Sequence, residues 1–477
     1  MALTGLSATL KTRPHGKGGK RTRPGLEARR VAVAVLTRVL DARLPLDALL
    51  DASHGLDDFR ALDPRDRSLT RAIVTTALRH RGPIARALAR FLDRPLPRKA
   101  RHLDHVLHVG AAQILHLDVP DRAAIDLAVS LADDPRSKRF AGLVNAVLRR
   151  VSENVESLRD LPPEPDDVPA WLARRWRRDF GRERMLAMLA AHRETPPLDL
   201  TLRGTESERP EGERSEGVRP EGVMLANGTL RHPADNRVPV SQLPGYEAGS
   251  WWVQDVAASL PAHLLGDVKD LRVLDLCAAP GGKTMQLAAR GARVTAVEKV
   301  ESRMARLREN LARTRLEAET VVADALDYQA GPFDAVLLDA PCSSTGTVRR
   351  HPDVPWTKTE GDVEALVDLQ RRLLEHAATL VKPGGRLVFA NCSTLKAEGE
   401  DLLTDLLAGA RAGASAGTSL SIDPITADEV FGLPVAQQGS LAGTLRTLPF
   451  HAMPTASPDE GQASGMDGFF CARLRVA

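Results

Sequence analysis

Between residues 28 and 151 the apolar positions fall mostly three and four apart. Val31, Val35, Leu36, Val39 and Leu40 form one stripe, and Leu69, Ile73, Val74 and Leu78 a second. Leu103, Val106, Leu107, Ile114 and Leu115 form a third; Ile125, Leu127, Val129 and Leu131, then Leu143, Val144, Val147 and Leu148, continue the series. A 3.6-residue helix puts such positions on one face, so each stripe predicts an amphipathic helix and the set an all-α bundle. Pro64, Pro83, Pro97 and Pro120 lie between the stripes, where a residue lacking N–H starts or breaks helices. Trp171, Leu172, Trp176, Phe180, Met185 and Leu189 predict a further helix within 165–193.

The period then changes. Asp199-Leu-Thr-Leu-Arg203 alternates as a strand does, and Val223-Met-Leu225 and Leu230-Arg231 are strand-like. Residues 204–222 are polar, with a near-repeat of Glu-Gly-x-Arg; such a stretch buries no core and is expected on the surface. A small β-rich adaptor is therefore expected up to residue 250, in an α+β segment of 165–250. From Trp251 apolar runs alternate with helical stripes: strands at 273–276, 294–297, 320–323, 335–338 and 386–390, helices at 285–289, 304–311 and 366–380. That alternation predicts a doubly wound, Rossmann-like α/β domain over 251–477, with ligands at the strand C-termini.

Composition sets limits. A chain of 477 residues is expected to hold two or three domains. The four cysteines, Cys277, Cys342, Cys392 and Cys471, make no CxxC pair, which argues against a structural metal site or a disulfide framework. No apolar run approaches the ~18 residues a membrane span needs. A cytoplasmic protein is expected, with no metal and no membrane partner. Net charge is only +3, but Lys11, Arg13, Lys17, Lys20, Arg21, Arg23, Arg29 and Arg30 crowd the first thirty residues against Glu27 alone. A disordered basic tail over 1–27 is expected, either a simple solvated terminus or a contact for a polyanion such as RNA.

Gly142-Leu-Val-Asn-Ala-Val-Leu-Arg-Arg150, with Asp66-Arg-Ser-Leu69 and Pro120-Asp-Arg-Ala-Ala-Ile125, resembles the antitermination-factor NusB fold. The resemblance implies a helical RNA-binding domain over 28–155 and an RNA-binding role for the adaptor beside it. Arg38, Arg65, Arg67, Arg71, Arg79, Arg149 and Arg150 are then either solvated faces or an RNA-contacting one.

The candidate chemistry lies in the α/β domain. Its first strand runs into Pro280-Gly281-Gly282 and then a helix, an arrangement that brings backbone N–H groups to a bound cofactor. The loop is neither GxxxxGK[ST] nor GxGxxG, so a nucleoside triphosphate and a nicotinamide dinucleotide are disfavoured. Glu298, ending the second strand, is placed for ribose hydroxyls, and Asp324, ending the third, for an adenine amino group. An adenosyl cofactor without a pyrophosphate fits, namely S-adenosylmethionine. Asp275, within the first strand, is expected to satisfy loop N–H groups.

The fourth strand ends Asp339-Ala-Pro-Cys342 and the fifth Asn391-Cys392-Ser393, so two thiols and a carboxylate face one crevice. Cytosine C5 is a poor nucleophile. A thiolate added at C6 makes it enamine-like, and C5 can then take a methyl group from a sulfonium. Asp339 would contact N3 as the ring accepts charge; one cysteine attacks and the other helps release. The target base must be unpaired or flipped.

Cys277-Ala-Ala-Pro-Gly-Gly-Lys283, Asp339-Ala-Pro-Cys342, Arg349-Arg-His-Pro-Asp353, Trp356 and Asp467-Gly-Phe-Phe470 together resemble the RsmB/Sun-type family of RNA (cytosine-C5) methyltransferases acting on 16S ribosomal RNA. The resemblance covers about 28–477 and implies a class I S-adenosylmethionine-dependent methyltransferase domain behind a NusB-like one. It makes Cys392 the nucleophile and Cys342 the group assisting release, with Asp339 at N3 and Lys283 near the transfer site. Cys277, Ala278, Ala279, Pro280, Gly281, Gly282, Lys283, Glu298, Arg303, Asp324 and Asp339 would line the cofactor pocket. Small-subunit ribosomal RNA is the implied partner of a monomer; the same chemistry on transfer RNA, and a non-enzymatic assembly factor, are the alternatives. The chain departs from the family at Glu298 (usually Asp), Asn391 (usually Thr), Gly399 (usually Asn) and Ser344 (commonly Gly). Cys277 is expected to contribute backbone, Cys471 to sit in the core, and His351 to orient the Pro352-Asp353 turn. Arg349 and Arg350 are either solvated or phosphate contacts, and Trp356 is the candidate base-stacking platform.

Overall fold

The computed structural model describes residues 23–97, 100–132, 138–204, 219–234, 238–411, 419–457, 459 and 461–477. The basic tail apart from residues 23–27, and the polar insertion over 205–218, lie outside the described residues.

The first unit is the helical bundle: α1 (Leu26–Ala42), α2 (Leu46–Leu49), α3 (Asp57–Arg60), α4 (Pro64–Arg79), α5 (Arg81–Ala89), α6 (Arg101–His116), α7 (Asp121–Ala132), α8 (Ala141–Glu153) and α9 (Val155–Arg159). Local chemistry sets the helix starts. At α4 the Asp63 carboxylate accepts the Asp66 N–H at 2.8 Å and Pro64 takes the first turn, where its missing N–H costs nothing. Helix α6 is buried on nearly every side from Leu103 to Leu115, and α1, α4, α7 and α8 pack around it. A long helix, α10 (Ala170–Arg193), broken at Gly181 by a φ of 80°, leads out of the bundle.

Four short antiparallel strands follow: β1 (Leu198–Leu202), β2 (Val223–Met224), β3 (Thr229–His232) and β4 (Trp251–Val253), in the order β2-β3-β1-β4. Strand β4 pairs with β1, so Trp251–Val253 completes this sheet and does not open the α/β domain. Alternation puts its two tryptophans on opposite faces. Trp251 fills the adaptor core with Leu200, Leu230 and Leu243, while Trp252 packs with Met285, Met304 and Leu307 of the next unit. Beneath them the buried Asp199 carboxylate holds Arg231 through bonds of 2.7 and 2.8 Å.

The α/β unit contains α11 (Val256–His263), β5 (Arg272–Leu276), α12 (Gly282–Ala289), β6 (Arg293–Glu298), α13 (Glu301–Thr314), β7 (Glu319–Val322), β8 (Phe333–Asp339), α14 (Val354–Thr357), α15 (Glu360–Thr379), β9 (Val381–Asn391) and α16 (Glu400–Arg411). It ends with β10 (Leu420–Ile422), β11 (Leu445–Thr447), β12 (Ala452–Pro454), β13 (Gln462–Ser464) and β14 (Phe469–Val476). The main sheet runs β10-β14-β9-β8-β5-β6-β7, parallel from β9 to β7, with β14 antiparallel between β9 and β10. Strand order reverses between β5 and β8, the switch point where such sheets bind ligands. Cys471 is fully buried in β14, as core. No described helix is long and apolar enough to cross a membrane.

The bundle docks on the segment that follows Cys342. Arg79 of α4 donates to the Arg349 carbonyl at 3.0 Å, and the Leu46 N–H to the Asp353 carboxylate at 3.0 Å. His351 sits 3.3 Å from Asp47, which raises the imidazole and lowers the carboxylate. Trp356 packs into the bundle core with the Arg81 guanidinium 5.3 Å over its ring. This corrects the reading of Trp356 as a base-stacking platform, because the bundle occupies its face. Trp356→Ala should cost roughly 2–3 kcal/mol, less than a fully buried Trp would. The loosened bundle should then show in calorimetry as a separate lower transition, whereas a single unshifted transition would rule out this role for Trp356.

Candidate active site

The site forms where β5, β8 and β9 end. After Leu276 the chain turns at Cys277 (φ 61°) and Gly281 (φ 102°) before α12 begins at Gly282. A side chain at Gly281 would be strained by that φ, and its Cβ would stand 2.9 Å from Leu307 Cγ. Burial pushes the Cys277 thiol up to about 12, so at neutral pH it is no nucleophile. Asp275 is fully buried and burial pushes its carboxyl up to about 7. Its recorded partner is the Thr284 hydroxyl at 2.6 Å, not the loop amides, so it anchors the first turn of α12.

Glu298, at the end of β6, accepts the Val300 N–H through Oε1 at 3.0 Å. Among the described residues its buried Oε2 makes no hydrogen bond, although Arg303 lies 3.1 Å away. Arg303 also donates to the Ala279 carbonyl at 2.7 Å, tying the glycine loop to the helix after β6. Asp324 accepts from Lys299 at 2.6 Å and from the Leu326 N–H at 3.0 Å; these bonds, the lysine's first, hold its carboxyl below the usual range. A buried carboxylate oxygen with an arginine beside it and acceptor capacity to spare, at a glycine turn and with a second carboxylate past the next strand, fits a polyhydroxylated adenosyl group.

Asp339, Cys342 and Cys392 meet beside this loop, because β8 and β9 pair in register with Asp339 opposite Ala390. The Lys283 ammonium donates to Asp339 at 2.7 Å and lies 5.1 Å over the Phe469 ring. Burial alone would lower the ammonium, but Asp339 outweighs it and the net shift is upward. The two thiol sulfurs are 3.4 Å apart. Cys392 falls below its usual value, first through the hydrogen bond from Cys342, while that bond and burial push Cys342 well above. Ser344 Oγ lies 3.6 Å from Cys392 Sγ. Ser344 has φ 59°, a conformation glycine adopts freely.

Residues that sequence reasoning missed hold these loops. The Gly346 N–H donates to the Cys392 carbonyl at 2.9 Å, and the Thr394 N–H to Thr345 Oγ1 at 3.0 Å. Trp176 of α10 donates its indole N–H to Thr394 Oγ1 at 2.8 Å. Asn391 accepts the Ser393 N–H at 3.1 Å and donates to the Glu398 carbonyl at 2.6 Å, so its amide braces the loop. Gly399 leaves room for Phe470, whose Cγ would lie 2.7 Å from a Cβ there. The one available signal was the run of hydroxyl residues after each cysteine, Ser343-Ser-Thr345 and Ser393-Thr394.

Arg349 and Arg350 are neither solvated nor free for phosphate. Arg350 donates to Asp255 at 2.6 Å and lies 3.3 Å from Asp467; Arg349 is buried, 3.6 Å from each of the same carboxylates. Asp255 also accepts the Ala257 N–H at 2.9 Å and the Asp467 N–H at 3.0 Å. This cluster ties the segment bearing Phe469 to the start of α11. Among the described residues no group of three or more His, Cys, Asp or Glu side chains could hold a metal ion.

Comparison with known proteins gives concordant matches. The family profile described as "16S rRNA methyltransferase RsmB/F" matches residues 262–475, and the NusB family profile residues 26–153. A protein of Xylella fastidiosa (strain Temecula1) named "Ribosomal RNA small subunit methyltransferase B" is 37% identical over 465 residues, covering 94% of this chain and 98% of its own. The protein of that name from Xanthomonas campestris pv. campestris is 36% identical over 390 residues, 79% of this chain and 86% of its own. The crystal structure titled PH0851 superposes with a TM-score of 0.61 at 22% identity, covering 96% of this chain and 100% of that one, a likeness of fold.

Proposed function

Because this chain belongs to the RsmB/F family of 16S rRNA methyltransferases, we propose that it transfers a methyl group from S-adenosyl-L-methionine to C5 of a cytosine in small-subunit (16S) ribosomal RNA, through a transient bond between Cys392 and C6. The observation that carries the reading is the pair of thiols 3.4 Å apart beside the Lys283–Asp339 ion pair.

When bound, S-adenosylmethionine supplies an electrophilic methyl group on a sulfonium. Glu298 Oε2, buried and with acceptor capacity to spare, is the acceptor for ribose hydroxyls, and Asp324 is the acceptor for the adenine amino group. The backbone of Cys277–Lys283 wraps the rest, with Arg303 bracing Glu298 and Ala279. Cys392 has its thiolate stabilised by Cys342 and attacks C6. The displaced ring electrons make C5 nucleophilic, and Asp339 accepts a hydrogen bond from N3–H as the ring takes up a proton. Once C5 is methylated, N3 returns its proton to solvent and a water molecule takes the C5 proton; the freed electron pair re-forms the C5–C6 double bond as the S–C6 bond breaks and Cys392 leaves as thiolate, with Cys342 assisting this release. The NusB-like bundle binds the RNA and α10 joins it to the thiol loop through Trp176.

The test is transfer of label from S-adenosylmethionine to unmodified small-subunit RNA and, separately, to unmodified transfer RNA. Label at cytosine C5 of ribosomal RNA is expected. Label only in transfer RNA would keep the chemistry and overturn the substrate; no transfer to either, with cofactor bound, would favour an assembly factor. Gly281→Ala should weaken cofactor binding about tenfold or more, since strain of ~1–2 kcal/mol accompanies a left-handed alanine. Titration calorimetry with S-adenosylmethionine measures this, and an unchanged Kd would exclude the loop from the pocket.

A further inference from the structure

Glu398 lies six residues beyond Cys392 and is completely buried. Its Oε1 accepts the Ser343 N–H at 2.8 Å and the Gln370 side-chain amide at 3.0 Å. Its Oε2 accepts the hydroxyls of Ser343 and Ser393, each at 2.5 Å. Ser343 directly follows Cys342, and Ser393 directly follows Cys392. One carboxylate therefore bridges the loops of both thiols, and all four donors are neutral, so none cancels its charge.

The hydrogen bond between the sulfurs is symmetric in its chemistry, since either could donate. The surroundings are not symmetric. The hydrogen bond between the sulfurs acts first, raising Cys342 and lowering Cys392; Glu398, bonded to the amide next to Cys342, adds to the rise of that thiol, while on Cys392 the Asp339 carboxylate acts upward and the Ser344 hydroxyl and Lys283 ammonium downward. Both thiols are half-buried, and charges beside a partly desolvated group shift its titration.

We propose that Glu398 is a positioning residue: it clamps the two thiol loops together and, by its charge, keeps the shared proton on Cys342 so that the thiolate forms at Cys392. This rests on Cys392 being the nucleophile. It gives a physical ground for a choice between the two cysteines that strand topology leaves open.

The experiment needs no RNA. Iodoacetamide alkylates a thiolate, forming an S–C bond as iodide leaves, and peptide mapping at partial modification gives the ratio of Cys392 to Cys342 labelling. Cys277 and Cys471, both pushed up to about 12 by burial, serve as slow internal controls. The wild-type chain should label first at Cys392. Glu398→Gln should cut the ratio about tenfold, the effect of one pKa unit of relative shift, whereas Glu398→Asp keeps the charge and the preference. An unchanged ratio in folded Glu398→Gln overturns the proposal and leaves the Cys392 assignment standing. Faster labelling of Cys342 in the wild-type chain overturns the assignment itself. If Glu398→Gln fails to fold, Cys392→Ser and Cys342→Ser isolate each thiol with Glu398 in place. Cys342 alone should then titrate at higher pH than Cys392 alone, and equal or reversed order overturns the proposal.

Discussion

Cys392→Ala should abolish methyl transfer, by a factor of at least about 10^4, while leaving cofactor binding within twofold. No neighbouring group replaces the lost nucleophile: Cys277 and Cys471 are held as thiols by burial, and without Cys392 the Cys342 thiol is still raised by burial and by the Glu398 carboxylate. Cys342→Ala should behave differently. Attack by Cys392 remains open, release is slowed, and a covalent protein–RNA complex should persist in a denaturing gel. The same gel decides the order of roles, because an adduct formed by Cys392→Ala and not by Cys342→Ala would reverse them. The pH dependence has a definite sign. Thiolate is the reactive form, so the single-turnover rate should rise with pH through the Cys392 pKa. Since the hydrogen bond from Cys342 lowers that pKa, the plateau should come below the range of an ordinary thiol. A rate still rising at the pH where free cysteine ionises would contradict this.

Asp339→Asn should lower the single-turnover rate roughly 10^2–10^4-fold, in the range of a lost proton-handling group. Two effects combine. The amide no longer supports a charged ring at N3, and the largely buried Lys283 loses the half-buried carboxylate 2.7 Å from its ammonium. Leaving the ammonium without its partner also destabilises, by less than the roughly 3–5 kcal/mol of a fully buried pair because solvent reaches Asp339. Lys283→Met separates the two effects, since it leaves Asp339 in place. The double variant Lys283→Met/Asp339→Asn should lose much less than the sum of the single losses, because each single change breaks the same pair. Strict additivity in rapid-quench kinetics, or a loss below tenfold for Asp339→Asn, would remove the pair from the mechanism.

The central parallel strands β5, β6, β8 and β9 were legible because they are buried over most of their length and so appear as mainly apolar runs ending in a distinct residue: Leu276 before the loop, Glu298, Asp339, Asn391. Strands β10 to β13 were not. They are three residues long, and Gln462-Ala-Ser464 or Ala452-Met-Pro454 carries no apolar run; pairing alone makes them strands. The thiols were found because both stand just past strand ends. Which thiol ionises was not readable, since that depends on the bond between the sulfurs and on the charges gathered around each. Glu398 itself, a carboxylate shortly after a strand, has the composition of a solvated turn, and only its four donors reveal it. Arg349 and Trp356 were misread for a simpler reason. A sequence displays what a side chain is suited to touch, and it does not display which other part of the chain has already covered it.

The stretch from Cys342 to Trp356 holds one of the two paired thiols at one end and the seat of the bundle at the other. Modularity is thereby limited in this enzyme. Swapping the amino-terminal domain for a homologue's by cutting at the linker would replace one half of a fitted joint. A functional chimera should need residues 343–357 transplanted together with the bundle, and those residues cannot be moved without re-registering the thiol they follow. Bundle and thiol loop are consequently expected to drift in sequence as one inherited unit, although nearly two hundred residues separate the end of the bundle from that loop.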